Sequence, residues 1–380
     1  MPRLRQLISV LAMVLVSIAV IGSLTSCSSS SPKAATTLEL RFTRADWPEV
    51  FAIDTSTALR EISAELPLWR SASATPPNQE QPSYQIKLTW TNRPSLLLYL
   101  THDLRVFDES LSIEYLTPQK TQQLLAVSVE SLNSMRFGEL LPWSEANCLL
   151  PRYAICTILD IETGLTWKSQ RRAGSLHADI QPLTKQDTLQ LHAVYGGSWS
   201  WDRRAIVVLI GNRRIAASIN GMPHGAGALR NGFPGHHCLH FWQSTTHVGR
   251  CPDPAHQVMV HKAAGKLHAY LQELQPNDLQ LAMLEIAGQG DANIVKLGII
   301  NPKDGTDPSQ LAKQVSNIKI WESQVDTTQS GKVIGLYNVS VYLKGDPKEY
   351  RRKIRLTSYY FDDLGRWLVE PSFLSQLLVG

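Results

Sequence analysis

The sequence predicts a multidomain α+β protein in which a β-rich central domain is flanked by two α+β domains. Three observations lead there. Residues 37–380 exceed what a single hydrophobic core organises, so two or three domains are expected. Ten of the eleven histidines fall between His177 and His268, amid clustered glycines and prolines, which sets a central segment apart. On either side of it, short alternating or apolar runs mix with stretches of helical spacing. Apolar content of 43% with 18% charged residues is ordinary for a globular chain.

Arg3 and Arg5 precede an apolar run from Ile8 to Ile21, short of the roughly 20 residues that a membrane span needs. Such a run behind basic residues reads as the core of a secretory signal. It leads to Leu24-Thr25-Ser26-Cys27. This end resembles the bacterial lipobox, in which small residues fit the signal peptidase and the thiol receives diacylglycerol. The resemblance implies a signal over 1–27 and a lipidated Cys27, holding the protein at the extracytoplasmic face of the cell membrane. The other readings are an ordinary cleaved signal and an uncleaved anchor. Residues 28–36, a serine run followed by Pro32-Lys33, are expected as a flexible tether. The formal charge of +4 includes Arg3 and Arg5. No basic stripe with interleaved aromatics appears, which excludes nucleic acid as a partner.

In the first domain, residues 37–140, strands are expected at 38–43, 84–90, 95–100 and 111–116. A helix is expected at 119–132 and an exposed Pro-rich loop at 76–82. The domain concentrates no catalytic residue types, so a spacer or protein-partner role is its expectation. The central domain, 141–268, has strand-like runs at 153–161, 165–172, 204–211 and 213–219 and helical spacing from Pro254 to Lys266. His256, His261 and His268, on or near that helix, are expected at the surface or a boundary. Trp199 and Trp201, two apart, are expected to pack rather than to form a glycan platform. The third domain, 269–380, places helical runs at 270–274 and 277–287 before strands at 318–325, 333–344, 353–362 and 366–373. That order describes helices on one face of a curved antiparallel sheet. Its final Tyr-rich strand, Asp-Leu-Gly turn and Arg-Trp-Leu-Val resemble the last hairpin of the nuclear-transport-factor-2-like (NTF2-like) fold.

The segment 220–247 carries the chemistry. Cys238 is flanked by His236, His237 and His240, with His224 upstream. A thiol is nucleophilic only as thiolate, and a neighbouring imidazole lowers its pKa or takes its proton. The glycines let a peptide approach the backbone and let N–H groups turn inward as an oxyanion hole. Here the chain resembles the catalytic motif of L,D-transpeptidases, cysteine enzymes that cross-link peptidoglycan stem peptides. Pro223-His224-Gly225 resembles the first half of that motif, and Gly235-His236-His237-Cys238-Leu239-His240 the second. The resemblance implies Cys238 as nucleophile, His224 as general base and His236 on the oxyanion side. His240 then stands where the family has Arg or Asn, and Gly235 and His237 stand where it has serine and glycine. Peptidoglycan would be the partner, and no cofactor is implied.

Upstream, Arg171-Arg172 and His177-Ala178-Asp179 are candidates for the same groove, since His177 and Asp179 share a strand face. The alternative there is solvated arginines and a loop-capping aspartate. A zinc hydrolase is a rival reading, because His177, Asp179, His224, His237, Cys238, His240 and His247 offer ligands, although the spacings match no zinc signature and no metal site is assigned. The third reading is a non-catalytic envelope-binding lipoprotein. Disulfides are a further alternative: Cys148 with Cys156, and Cys238 with Cys251.

Overall fold

The computed structural model describes residues 37–43, 56–73 and 83–379, apart from 92, 102, 109, 111, 247, 248 and 330. The expected signal, Cys27, the tether, the loop 76–82 and His247 lie outside the described residues. The architecture is mixed helix and strand with several sheets, and the chain divides into two compact units between Leu132 and Asn133. The expected central and C-terminal domains belong to the same unit.

The first unit is built on a six-stranded sheet in the order β1-β3-β4-β5-β6-β2. Its strands are β1 (Thr37–Thr43), β2 (Arg70–Ser73), β3 (Ser83–Trp90), β4 (Arg93–Leu100), β5 (Val106–Phe107) and β6 (Ile113–Leu116). Along β3, Tyr84, Ile86, Leu88 and Trp90 are buried while the residues between them are half-exposed, the period of a strand with one covered face. Helix α1 (Ser56–Glu65) buries Ile62. Helix α2 (Gln119–Arg136) buries Thr121, Leu125, Ser128 and Leu132, the i, i+4, i+7 stripe of an amphipathic helix.

The second unit opens with α3 (Trp143–Leu149) and a closed six-stranded barrel in the order β10-β11-β12-β9-β8-β7. Its strands are β7 (Ile155–Asp160), β8 (Thr166–Ala173), β9 (Ala178–Pro182), β10 (Arg204–Ile210), β11 (Arg213–Ile219) and β12 (His237–His240), with α4 (Lys185–Val194) between β9 and β10. Ile158, Trp167, Ile180, Ile206, Val208, Ile215, Ala217 and Leu239 fill the interior. Ala205, Val207 and Ala216 on the other face of β10 and β11 are also buried, and helix α5 (Pro254–Ala263) packs on those two strands. With neighbours on both sides, α5 is buried along its length, His256 and His261 included. The sequence expected both at the surface or a boundary; the helix lies between the barrel and the helices that follow it, so its polar residues face other elements and not solvent. His268 is half-buried. The helix stops at Ala263 instead of Lys266 because Gly265 takes a left-handed φ of 68°, which lets Lys266 N–H close back on His261 O.

Helices α6 (Leu267–Glu273), α7 (Pro276–Gly288) and α8 (Ala292–Gly298) lead to a four-stranded antiparallel sheet: β13 (Val315–Gln329), β14 (Lys332–Leu343), β15 (Asp346–Phe361) and β16 (Arg366–Val369). Helix α7 packs on this sheet, and Gln280 bonds Val333 O, Ser358 Oγ and Tyr337 Oη. The strand expected over 366–373 ends at Val369, since Pro371 has no N–H for a ladder; α9 (Ser372–Leu378) follows. No helix among the described residues is long and apolar enough to cross a membrane.

Candidate active site

The site lies on the face of β9 and β12 that points away from the barrel interior. Side chains alternate along a strand, so Ala178, Ile180 and Leu239 enter the core while Asp179, Gln181, Cys238 and His240 emerge together. The pairing of Cys238 with Asp179, and of His240 with Ser218 on β11, fixes their order across the sheet.

The loop between β11 and β12 brings His224 to this face. His224 and His236 exchange N–H···O bonds of 2.9 Å in both directions. Two glycines make the clip possible: a Cβ at Gly225 would strike the His236 ring, and one at Gly235, whose φ is 133°, would strike the His224 carbonyl. Gln181, fully buried, donates to Gly235 O and accepts from Ala228 N, 2.9 Å, which pins the loop from below.

Each imidazole is oriented by a carbonyl. A carbonyl only accepts, so the ring nitrogen beside it carries the proton. His224 Nδ1 thus donates to Met222 O at 2.9 Å and turns Nε2 to Cys238 Sγ at 3.2 Å. His177 Nδ1 donates to Thr245 O at 2.8 Å. Its Nε2 lies 3.4 Å from Asp179 Oδ1, and a ring nitrogen lies within 4.8 Å of the Cys238 sulfur.

The electrostatics favour a thiolate. Burial pushes the Cys238 thiol up, but the neighbouring His177 and His224 imidazoles outweigh it and bring the pKa below the ordinary thiol value. Burial likewise opposes charge on His177, yet the Asp179 carboxylate and the sulfur lift it to about 10. His224 is raised, chiefly by its bond to the sulfur. At neutral pH His177 is therefore a cation.

The remaining candidates divide. His236 bonds Ala226 O and directs Nε2 to Asp179 Oδ1 at 3.8 Å, with its ring edge-on to His224. The Gly235 N–H donates to Phe233 O and the His236 N–H to His224 O, so the loop spends both amides inside the protein. The expected oxyanion role does not fall on them. His240 is sandwiched in a ring stack, 4.3 Å from His177 and 3.9 Å from His256, all three buried. His256, bonded to Ser218 Oγ at 2.9 Å, is driven down to about 3 by burial and stays neutral. His237 faces inward against Phe233 and is likewise driven down to about 3 by burial.

Arg172 is the extra residue of a β-bulge on β8; it bonds Gln170 and lies over Tyr153, not over the sulfur. Arg171 is not a solvated charge: buried, it bonds Asn147 Oδ1 and the carbonyls of Leu150 and Gly174. Cys148, Cys156, Cys238 and Cys251 are all free thiols, which removes both disulfide alternatives. Trp199 packs edge-on to Phe233, as expected. Trp201, however, is 48% exposed and lies 5.2 Å from His224.

His177, Cys238 and His240 present donor atoms within 4.8 Å of one another. The two rings of this set are stacked at an interplanar angle of 17°, and lone pairs in near-parallel planes do not converge on one tetrahedral ion. Stacking fits the arrangement better than coordination. No protein-family model matches the chain, and no curated protein matches it.

Proposed function

We propose that this chain is a membrane-anchored lipoprotein of the cell envelope, acting on peptidoglycan stem peptides by cysteine acyl transfer in the manner of L,D-transpeptidases. In this reading it has three parts: an N-terminal α+β spacer, the catalytic barrel and an NTF2-like C-terminal part. Cys27 carries the lipid, and protein partners dock on the flanking parts. The observation that carries the reading is the 3.2 Å approach of His224 Nε2 to Cys238 Sγ, with the other ring nitrogen held by Met222 O. An imidazole oriented by a fixed acceptor and hydrogen-bonded to a thiol is the nucleophile–base pair of covalent acyl transfer.

In mechanism, the Cys238 thiolate attacks an amide carbonyl carbon of the stem peptide, forming a C–S bond and pushing the carbonyl electrons onto oxygen. His177 holds its positive charge throughout and keeps the sulfur ionised. As the tetrahedral intermediate collapses, the C–N bond breaks and the His224 imidazolium gives its proton to the departing amine. A thioester remains. An incoming amine or water, losing its proton to His224, attacks the thioester and expels the thiolate. Asp179, 3.4 Å from His177 Nε2, balances the charge on that ring.

The full chain in detergent, incubated with a carbapenem, should gain a covalent mass adduct on Cys238 that Cys238→Ala lacks. A wild type that forms no adduct and leaves muropeptides unchanged overturns the assignment in favour of a non-catalytic envelope-binding protein. The zinc-hydrolase reading has one observation behind it, the close donor set of His177, Cys238 and His240. It predicts stoichiometric zinc that is lost in Cys238→Ala.

A further inference from the structure

The C-terminal sheet has two unlike faces. On the side where α7 packs, Tyr337 and Val339 of β14 and Ile354 and Leu356 of β15 are buried. Side chains alternate along a strand, so Arg351, Lys353 and Arg355 of β15 stand on the opposite side, and all three are exposed. Strand register brings β13 into the same patch: Arg351 faces Ser340 of β14, and Ser340 faces Lys319 of β13. Trp321, the extra residue of a bulge between Ile320 and Glu322, turns to this side too, because its Nε1–H donates to Ser340 Oγ at 2.7 Å. The register thus gathers cations that the sequence scatters over two strands.

The patch is basic in balance. Its two carboxylates are already engaged: Glu322 accepts from Asn338 Nδ2 at 2.7 Å, while Glu349 accepts from Ser340 and lies 3.5 Å from Arg351 Nε. Among the described residues the Lys353 and Arg355 side chains make no ion pair. Arg351, Lys353 and Arg355 repeat roughly every 7 Å along their strand, a flat row of positive charge.

We infer that this face docks on an anionic lipid surface and so sets the orientation of the barrel-bearing unit on the membrane. The inference rests on the lipid-anchor half of the proposed function and not on acyl transfer. Basic side chains in a plane suit a plane of lipid phosphates, and the long stems of Lys and Arg let their charged ends reach those phosphates. Trp is the aromatic that settles at headgroup level, and Trp321, 53% exposed with its N–H already bonded, has its apolar ring to offer.

Two other occupants fit less well. A single-stranded nucleic acid would stack a base on the indole, but the Lys319 ammonium already sits over that ring, 3.6 Å from its centre, with Arg351 at 5.9 Å. A protein partner would seek an apolar centre with charge at the rim, whereas Trp321 is ringed on this face by Lys319, Arg351 and Asn338.

The test adds the full chain to vesicles of phosphatidylcholine, with or without phosphatidylglycerol, and follows lysine acetylation by peptide mass. On phosphatidylglycerol vesicles Lys319 and Lys353 should react roughly tenfold more slowly, and about 0.5 M sodium chloride should remove the protection. Lys185, exposed at the start of α4, should react alike on both. In Arg351→Glu/Arg355→Glu, with a wild-type thermal transition, Lys319 and Lys353 should react equally fast on the two vesicles. Equal rates in the wild type overturn the docking face, and protection by oligo-dT but not by phosphatidylglycerol overturns it in favour of nucleic acid. Flotation separates the face from the anchor. A chain that floats only with phosphatidylglycerol keeps the face and loses the lipid anchor; one that floats with both vesicles unprotected keeps the anchor and loses the face.

Discussion

His224 and His236 hold each other by their backbones, each N–H donating to the other's carbonyl at 2.9 Å. This two-bond clip, and not the barrel directly, decides where the His224 ring stands relative to the Cys238 sulfur.

The clip depends on Gly235, whose φ of 133° and lack of a Cβ admit the His224 carbonyl. Gly235→Ala should cost about 1–3 kcal/mol in backbone strain and displace His224 from the sulfur. Carbapenem acylation should fall roughly 10²-fold, the scale of an ångström of misplacement, while circular dichroism reports a folded protein of lower Tm. An unchanged acylation rate would show that the clip does not place the base.

His224→Gln removes the proposed proton-transfer group but leaves His177 beside the sulfur. Stem-peptide turnover should drop by about 10²–10⁴-fold, the range for loss of a general acid–base. Alkylation of Cys238 by iodoacetamide should drop far less, because that reaction needs only the thiolate. Equal losses in both assays would reassign His224 to ionising the thiol.

The complementary variant is His177→Gln. His177, held up to about 10, is charged across the neutral range and favours the thiolate, so its loss raises the Cys238 pKa. The pH midpoint of Cys238 alkylation, followed by peptide mass, should start below the ordinary thiol value in the wild type and move upward in the variant. An unmoved midpoint would remove His177 from the site's electrostatics.

Lys262, 3% exposed, pairs with Glu162 at 2.5 Å, and Arg204 adds a second cation at 3.0 Å. Burial opposes the charge on Glu162, but these cations hold its carboxyl at about 2. The folded value lies below the unfolded one, so the stabilisation is complete above about pH 4.5 and is lost as pH falls toward 2. Lys262→Met should cost about 3–5 kcal/mol at neutral pH by leaving the carboxylate underpaired. Thermal melts check the loss, and Glu162→Gln in the same background should restore part of it. Identical melts for Lys262→Met and wild type would refute the pairing.

Local chemistry was legible in the sequence where neighbours in the chain are neighbours in space. The histidines around Cys238 named the thiol and one of its imidazoles, and the strand-like runs of β7, β8, β10 and β11 announced themselves by composition and alternation. The second imidazole was harder. His177 stands 61 residues before Cys238, and only the register of β9 on β12 reveals that it meets the sulfur and not solvent. The burial of His256 is hidden for a related reason: a helix with His256, Gln257, His261 and Lys262 reads as half-solvated, whereas it lies between the barrel and α7 and tertiary neighbours cover it. Helix α4 went unread although Thr184 and Asp187 form a capping box at its start. Trp201 differs from Trp199 only in what lies opposite it, which no spacing rule contains.

Helix α5 touches the barrel with one side and α7 with another, while Arg203 N–H donates to Gln289 and Ala255 N–H donates to Glu285. The Cys238 site is therefore not portable. A gene fragment ending at His268 would encode Cys238 and both of its imidazoles, yet strip the outer wall from the helix that supports their ring stack. Recombination, natural or engineered, has to transplant barrel and terminal sheet as one inheritance.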